Sequence, residues 1–178
     1  YVSNNFTNLS EGDHKFKAYV QNTKGKVNMT EERTIVIESP QAPINCGNLD
    51  IANKVYTLIS NVTSTDTCFN ILANNITLDC QGYWIDYSSD GGNYEYGINS
   101  SYNLTTIKNC RIKEGLAAGD FDYGIYFNNA NNGTMENNTI TTFGGYGYGI
   151  YLLLSSNNTL SNNTIITSGD SGYGIYFY

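Results

Sequence analysis

Tyr123-Gly124-Ile125-Tyr126-Phe127 returns as Tyr148-Gly149-Ile150-Tyr151-Leu152 and again as Tyr173-Gly174-Ile175-Tyr176-Phe177, a step of 25 residues taken twice. A second string keeps that step. Asn132-Gly133-Thr134-Met135-Glu136-Asn137-Asn138-Thr139-Ile140 becomes Asn157-Asn158-Thr159-Leu160-Ser161-Asn162-Asn163-Thr164-Ile165. A fixed period of roughly 20–50 residues marks a solenoid, in which each repeat is one rung stacked on the last. Within the string, Ile125 and Phe127 alternate with Tyr126, the period-2 pattern of a strand.

Traced backwards, first strands fall at Cys68–Leu72, Tyr96–Asn99, Gly124–Asn128, Gly149–Leu153 and Gly174–Tyr178. Second strands follow an Asn-rich corner near Ile76–Leu78, Leu104–Ile107, Thr134-Met135 and Thr159-Leu160. Third strands follow another around Ile112, Ile140 and Ile165. Three short strands and three corners in about 25 residues describe an all-β fold, a right-handed parallel β-helix of roughly five rungs. Like residues then stack on like. Ile98, Ile125, Ile150 and Ile175 are expected to form one inward ladder, and Phe127, Leu152 and Phe177 another. Tyr126, Tyr151 and Tyr176 are expected to form an outward one. That stripe reads either as a contact surface for sugars or protein, or as Tyr favouring exposed strand positions. The pairs Asn137/Asn138 and Asn162/Asn163 are placed at a corner, with Asn137 and Asn162 stacked.

Residues 1–39 have a different pattern. Lys15–Val20 alternates polar and apolar, a turn follows at Asn22–Gly25, and Arg33–Ile37 closes the segment. The run Leu9–Val20, Thr23–Asn28 and Thr34–Ile37 resembles the last three strands of immunoglobulin-like modules of prokaryotic surface proteins, which implies part of a β-sandwich. Residues 40–45, which hold both prolines of the chain, Pro40 and Pro43, read as a linker, and 46–178 as the β-helix.

Cys46, Val55–Leu58, Cys68-Phe69, Asn75–Gly82 and Thr106–Ile112 resemble the N-terminal end of secreted β-helix repeat proteins, pectin-lyase-like in fold and common on archaeal and bacterial surfaces. The resemblance spans residues 44–178 and implies fold and location. Chemistry does not follow from it, since this fold hosts lyases, hydrolases, epimerases, tailspikes and structural shafts.

Composition narrows the function classes. The net charge of −7 lies wholly beyond residue 45, because residues 1–45 hold five basic and five acidic groups. Without a basic stripe, nucleic-acid binding is not expected, and no apolar run reaches the length of a membrane helix. Four Cys without a CxxC pair fit two disulfides. Cys80 and Cys110 close the same Asn/Asp-Cys string on consecutive rungs, and Cys46 and Cys68 flank the first strand of the solenoid. The expected bridges are therefore Cys46–Cys68 and Cys80–Cys110. Disulfides, few Lys and many Asn-x-Ser/Thr sequons place the chain outside the cell or on its surface. Asn5, Asn8, Asn28 and Asn61 are the glycosylation candidates, rather than the laddered Asn137 and Asn162.

Catalytic equipment is sparse. The one His, His14, precedes the solenoid, so a Ser or Cys triad within it has no base. Asp120 and Asp122, two positions apart, are the nearest approach to a glycosidase pair. Arg111-Ile112-Lys113 resembles a polygalacturonase string, but that family's Asn-x-Asp, Asp-Asp and Gly-His-Gly strings are missing. Asp86, Asp90, Glu95, Asp120, Asp122 and Asp170 gather before first strands. They read as solvated turn acids, with a Ca²⁺ site as the alternative; no other cofactor or metal is expected.

The expectation is an extracellular structural protein of a surface layer, stalk or filament, without catalysis. The rivals are a glycan-binding or polysaccharide-cleaving β-helix, and an adhesin. Both ends read as incomplete folds, completed by a longer chain or by other copies. The second case implies a homo-oligomer or filament with head-to-tail contacts.

Overall fold

The structure, a computed structural model, describes residues 9–10, 12–37, 45–115 and 120–178. The chain divides into two compact units, Tyr1–Ser39 and Pro40–Tyr178. Most of the expected linker, residues 40–44, lies outside the described residues.

In the first unit, Gly12–Phe16 pairs antiparallel with Arg33–Ile37, and Tyr19–Gln21 with Val27–Met29. The turn between them is closed by Asn22, whose Oδ1 accepts from Lys24 N and Lys26 N, both at 3.0 Å. Gly25 supplies the left-handed residue at φ 79. Phe16 faces Arg33 and Tyr19 faces Met29, so the return strand holds one extra residue over Thr30–Glu32, a β-bulge. The expected continuous strand Lys15–Val20 is thus broken at Lys17-Ala18. The described residues make one ribbon of two strands with Tyr19, Val20, Val27, Met29 and Val36 exposed; no second sheet covers it among them, and the expected sandwich is not seen.

The second unit is a three-sided parallel solenoid of about five turns. Its first sheet stacks Gly47–Leu49, Phe69–Ile71, Tyr96–Ser100, Tyr123–Asn128, Tyr148–Leu153 and Ile175–Phe177. The second stacks Val55–Thr57, Thr77–Asp79, Thr106–Lys108, Thr134–Glu136 and Thr159–Ser161, and the third Val62–Thr63, Trp84–Tyr87, Arg111–Glu114, Thr139–Thr142 and Thr164–Thr167.

Each sheet sends one central column inward. Phe69, Ile98, Ile125, Ile150 and Ile175 align in the first; Tyr56, Leu78, Ile107, Met135 and Leu160 in the second; Val62, Ile85, Ile112, Ile140 and Ile165 in the third. Ile98, Ile107, Ile112, Ile125, Met135 and Ile140 are fully buried, each contributing on the order of 1.5–3 kcal/mol against the ordering cost. The ladder of Phe127, Leu152 and Phe177 also forms and continues back to Ser100 and Ile71.

The rung length of 25 holds from Ile125 to Ile150 to Ile175 but not before. Gly47 to Phe69 is a step of 22, Phe69 to Ile98 of 29, and Ile98 to Ile125 of 27. Part of the difference lies in the return from third to first sheet, which runs over 88–95 and 115–122 in the longer rungs and over 143–147 in a shorter one.

Corners are made by left-handed residues in register. Asn53, Asn75, Leu104, Asn132 and Asn157 precede the second sheet at φ 57 to 62, and Asn109, Asn137 and Asn162 precede the third at φ 53 to 55. Asn tolerates that region because its short amide bonds locally. The amide ladder, however, sits one residue later than expected. Asn138 Nδ2 donates to Asn163 Oδ1 at 3.0 Å, and Asn138 Oδ1 accepts from Cys110 N at 3.0 Å. Asn138 is 1% exposed, so its amide replaces the rung hydrogen bonds that the turning backbone cannot make.

Both bridges join neighbouring rungs: Cys46–Cys68, with Cα atoms 4.5 Å apart, and Cys80–Cys110, 4.7 Å apart. Replacing Cys80 and Cys110 together by Ala is expected to lower unfolding free energy by roughly 3 kcal/mol, read as the midpoint shift in denaturant. Leu104 is the non-Asn member of its corner column, 49% exposed at φ 61. Leu104→Asn is expected to raise stability by about 1 kcal/mol, checked by the same measurement.

Candidate functional site: the tyrosine face

Strand alternation turns Ile125 inward and Tyr126 outward, and Tyr126, Tyr151 and Tyr176 align in register. A second column stands beside them. Tyr96, Tyr123 and Tyr148 align at the start of the strands, and Tyr173 occupies the equivalent place in the last repeat. The glycine after each of these tyrosines explains the placement. A Cβ on Gly124 would collide with Ile140 Cγ2 from the third sheet and meet Gly149 O at 2.7 Å. Gly97 against Ile112 and Gly149 against Ile165 repeat the collision. The third-sheet isoleucine fills the space a side chain would take, and the strand enters the rung pressed against it.

Seven tyrosines therefore form one continuous surface. Ring centroids lie 5.0 Å apart for Tyr96–Tyr126, 5.1 Å for Tyr123–Tyr148 and for Tyr123–Tyr151, 5.2 Å for Tyr126–Tyr151, and 5.0 Å for Tyr148–Tyr176. Tyr94, Phe121 and Tyr146 stack nearly parallel on the returns, at 5.2 and 4.7 Å. Each such pair adds about 0.5–1.5 kcal/mol beyond its buried area. Burial, then the neighbouring phenols, push the Tyr96 hydroxyl up to about 12 and that of Tyr123 higher still. The hydroxyls of Tyr96 and Tyr123 therefore stay protonated, framed by flat apolar rings.

Where third-sheet strands return to the first lies an internal acidic corner; of the expected solvated turn acids Asp122 and Glu95, Asp122 is buried, and Glu114, not expected, joins it. Asp122 accepts from Ser88 Oγ at 2.8 Å and from Glu95 N at 2.8 Å. Glu114, in register with Tyr87, accepts from Phe143 N at 2.7 Å and Gly144 N at 3.1 Å. Asp122, Glu114, Ser88 and Tyr87 are fully buried, and neither the Tyr87 hydroxyl nor Glu95 Oε2 has a hydrogen-bond partner among the described residues. Burial pushes the carboxyls of Asp122, Glu114 and Glu95 above their ordinary range, neighbouring carboxylates add to this, and the hydrogen bonds partly oppose it.

This corner corrects the reading of Asp120 and Asp122. Asp120 is exposed and its backbone N donates to Asn93 Oδ1. Asp122 is internal with both oxygens bonded, so the two carboxyls do not face a common groove. Asp86 is also displaced from the expected turn cluster: it lies within the strand Trp84–Tyr87. Among the described residues no three His, Cys, Asp or Glu side chains converge on a cation. His14 bonds Ser10 O at 2.6 Å in the first unit.

Arg111 and Lys113 are exposed on the third sheet. The Arg111 guanidinium lies 5.7 Å from the Trp84 ring centroid. Nearby is an open depression of about 460 Å³ lined by Asn61, Trp84, Asp86, Lys113 and Thr141. Asn61 and Asn28 are exposed; Asn5 and Asn8 lie outside the described residues. The sequence signal for the second tyrosine column was the Tyr-Gly pair itself, since a glycine kept at one rung position marks a close approach.

The family model of the right-handed β-helix region matches residues 87–178. The chain belongs to the right-handed β-helix family. No curated protein and no solved structure matches it. A β-helix of this family fits a surface or polysaccharide-related protein in general terms.

Two outcomes follow from this geometry. Gly124→Ala is expected to cost about 1–3 kcal/mol by overpacking against Ile140, read by denaturant unfolding. The acidic corner sets an unusual pH dependence. Asp122, Glu114 and Glu95 bind protons more tightly folded than unfolded, so their contribution is fully present below the ordinary carboxyl range and lost as pH rises through the raised folded values. The melting temperature is expected to rise on going from neutral to mildly acidic buffer. Asp122→Asn, which keeps the shape and removes the charge, is expected to flatten that slope.

Proposed function

We propose that this β-helix is a structural element of the cell surface, part of a layer, stalk or filament, which holds its shape rather than turning over a substrate. The observation that carries the reading is how its buried carboxylates are used. Glu114 and Asp122 direct their oxygens to N–H and hydroxyl groups of neighbouring rungs, which makes them struts. The paired bridges Cys46–Cys68 and Cys80–Cys110 suit an oxidising compartment, and both tie rung to rung along the axis. In this reading copies join head to tail, and neither metal nor cofactor takes part.

One observation favours a second reading, a glycan-binding surface. The two tyrosine columns run along the solenoid axis and offer flat rings bordered by hydroxyls, a surface on which the C–H faces of a sugar chain lie well. An adhesin would use the same face.

The readings separate experimentally. On the structural reading, antibody to residues 46–178 labels intact cells, the purified protein releases no products from acidic or neutral polysaccharides, and light scattering shows mass growing with concentration. Retention of a polysaccharide that is lost in the double variant Tyr126→Ala/Tyr151→Ala would favour the second. Cleavage abolished by Asp120→Ala would overturn the first.

A further inference from the structure

We propose that Asn61 carries an N-linked glycan whose first sugar lies in the depression over Trp84. The inference rests on the surface location argued above and goes beyond it to a modification site. In Asn61-Val62-Thr63 the valine is inward and 4% exposed, so strand alternation turns Asn61 and Thr63 to the same outer side, and both are exposed. Asn61 Oδ1 accepts from Trp84 N at 2.9 Å, and Nδ2, the atom that takes the sugar, has no hydrogen bond among the described residues.

Six of the other sequons are constrained by the solenoid. Asn75 Nδ2 donates to Asn53 Oδ1 and Asn99 Nδ2 to Asn70 Oδ1. Asn132 and Asn157, and Asn137 and Asn162, hold left-handed corners on adjacent rungs, about 4.8 Å apart, which leaves no room for sugars on both members of a pair. Val62–Thr63 is instead the end strand of its sheet among the described residues, so no described strand of that sheet stacks on Asn61 from the far side.

The space beside it fits a sugar. Its volume of about 460 Å³ is that of a ligand-sized cleft. Trp84 is paired in register with Arg111, which lies over its ring from the next rung; the remaining face is on the Asn61 side. A pyranose sets its C–H groups against that face, with Asp86, in the same strand as Trp84, nearest to its hydroxyls and the depression continuing past Lys113 to Thr141 for the sugars that follow. In the transfer, Nδ2 bonds to the anomeric carbon of a lipid-pyrophosphate-linked oligosaccharide, the carbon–oxygen bond to pyrophosphate breaks, Nδ2 loses one proton, and the lipid pyrophosphate leaves.

The test uses the protein secreted by a host with N-glycosylation machinery. Glycopeptide mass analysis is expected to find sugar on Asn61. Trp84 is the one tryptophan, so its emission reports the site directly. Thr63→Ala, which leaves the Asn61–Trp84 contact in place, is expected to remove the glycan, shift the emission to the red and increase quenching by acrylamide; Thr63→Ser is expected to reverse all three. Secreted protein bare at Asn61 would overturn the inference alone. Glycan on Asn61 with quenching unchanged by its removal would overturn its seating on Trp84. Protein retained in the cytosol would overturn the surface reading and this inference with it.

Discussion

Parallel strands of successive rungs pair through backbone hydrogen bonds at a spacing of about 4.8 Å, so almost every side chain in the solenoid has a counterpart one rung away. A residue here belongs to a column, and the column decides what it can be. Inward columns must be apolar along their whole length, which is why Ile98, Ile125, Ile150 and Ile175 follow one another. Outward columns concentrate whatever chemistry they carry. One tyrosine on a strand would be an ordinary surface residue; repeated at Tyr96, Tyr123 and Tyr148 and again at Tyr126, Tyr151 and Tyr176, it becomes a face.

The same constraint ties composition to geometry at the corners. The bends before the second and third sheets mostly take a left-handed residue, and asparagine meets that need at Asn75, Asn132, Asn137, Asn157 and Asn162. Two residues later comes the outward position of the next strand, occupied by Thr77, Thr134, Thr139, Thr159 and Thr164. Asn-x-Thr is therefore what a corner followed by a β-branched strand residue spells. Five of the eight sequons in residues 46–178 record its backbone, and those outside the corner columns, Asn61 among them, call for a different explanation.

Much of this was legible because the last two steps are equal. The 25-residue period placed the three strands of each late rung, their inward ladders and the Tyr126 stripe, and the shared Cys strings placed the bridges. What escaped follows from rules that period-2 reasoning does not contain. Tyr123 and Tyr126 are three apart and belong on opposite sides of a regular strand; they share a face because Gly124 presses the strand's entry against Ile140. Asn138, not Asn137, carries the amide ladder, because the left-handed residue turns outward and the next one in. In the first unit, one extra residue over Thr30–Glu32 merges the expected strands into a single bulged ribbon.

The acidic corner was hidden for a deeper reason: it lies where the period fails. The returns 88–95 and 115–122 are longer than 143–147, so a long return cannot match a short one residue for residue, and described N–H groups at that junction lose the partners that equal rungs would supply. A buried N–H without a partner is costly, and a carboxylate, which accepts several bonds at once, is an efficient remedy. Glu114 meets Phe143 N and Gly144 N, the first residues of the short return, and Asp122 meets Glu95 N at the end of a long one. Each carboxylate thereby leaves water, which raises its affinity for a proton and brings it close to other acids. The solenoid is held in register elsewhere by likeness between rungs. Here, where the rungs differ, buried carboxylates take over that task, and the pH sensitivity expected of these rungs is the physical consequence of joining unequal lengths.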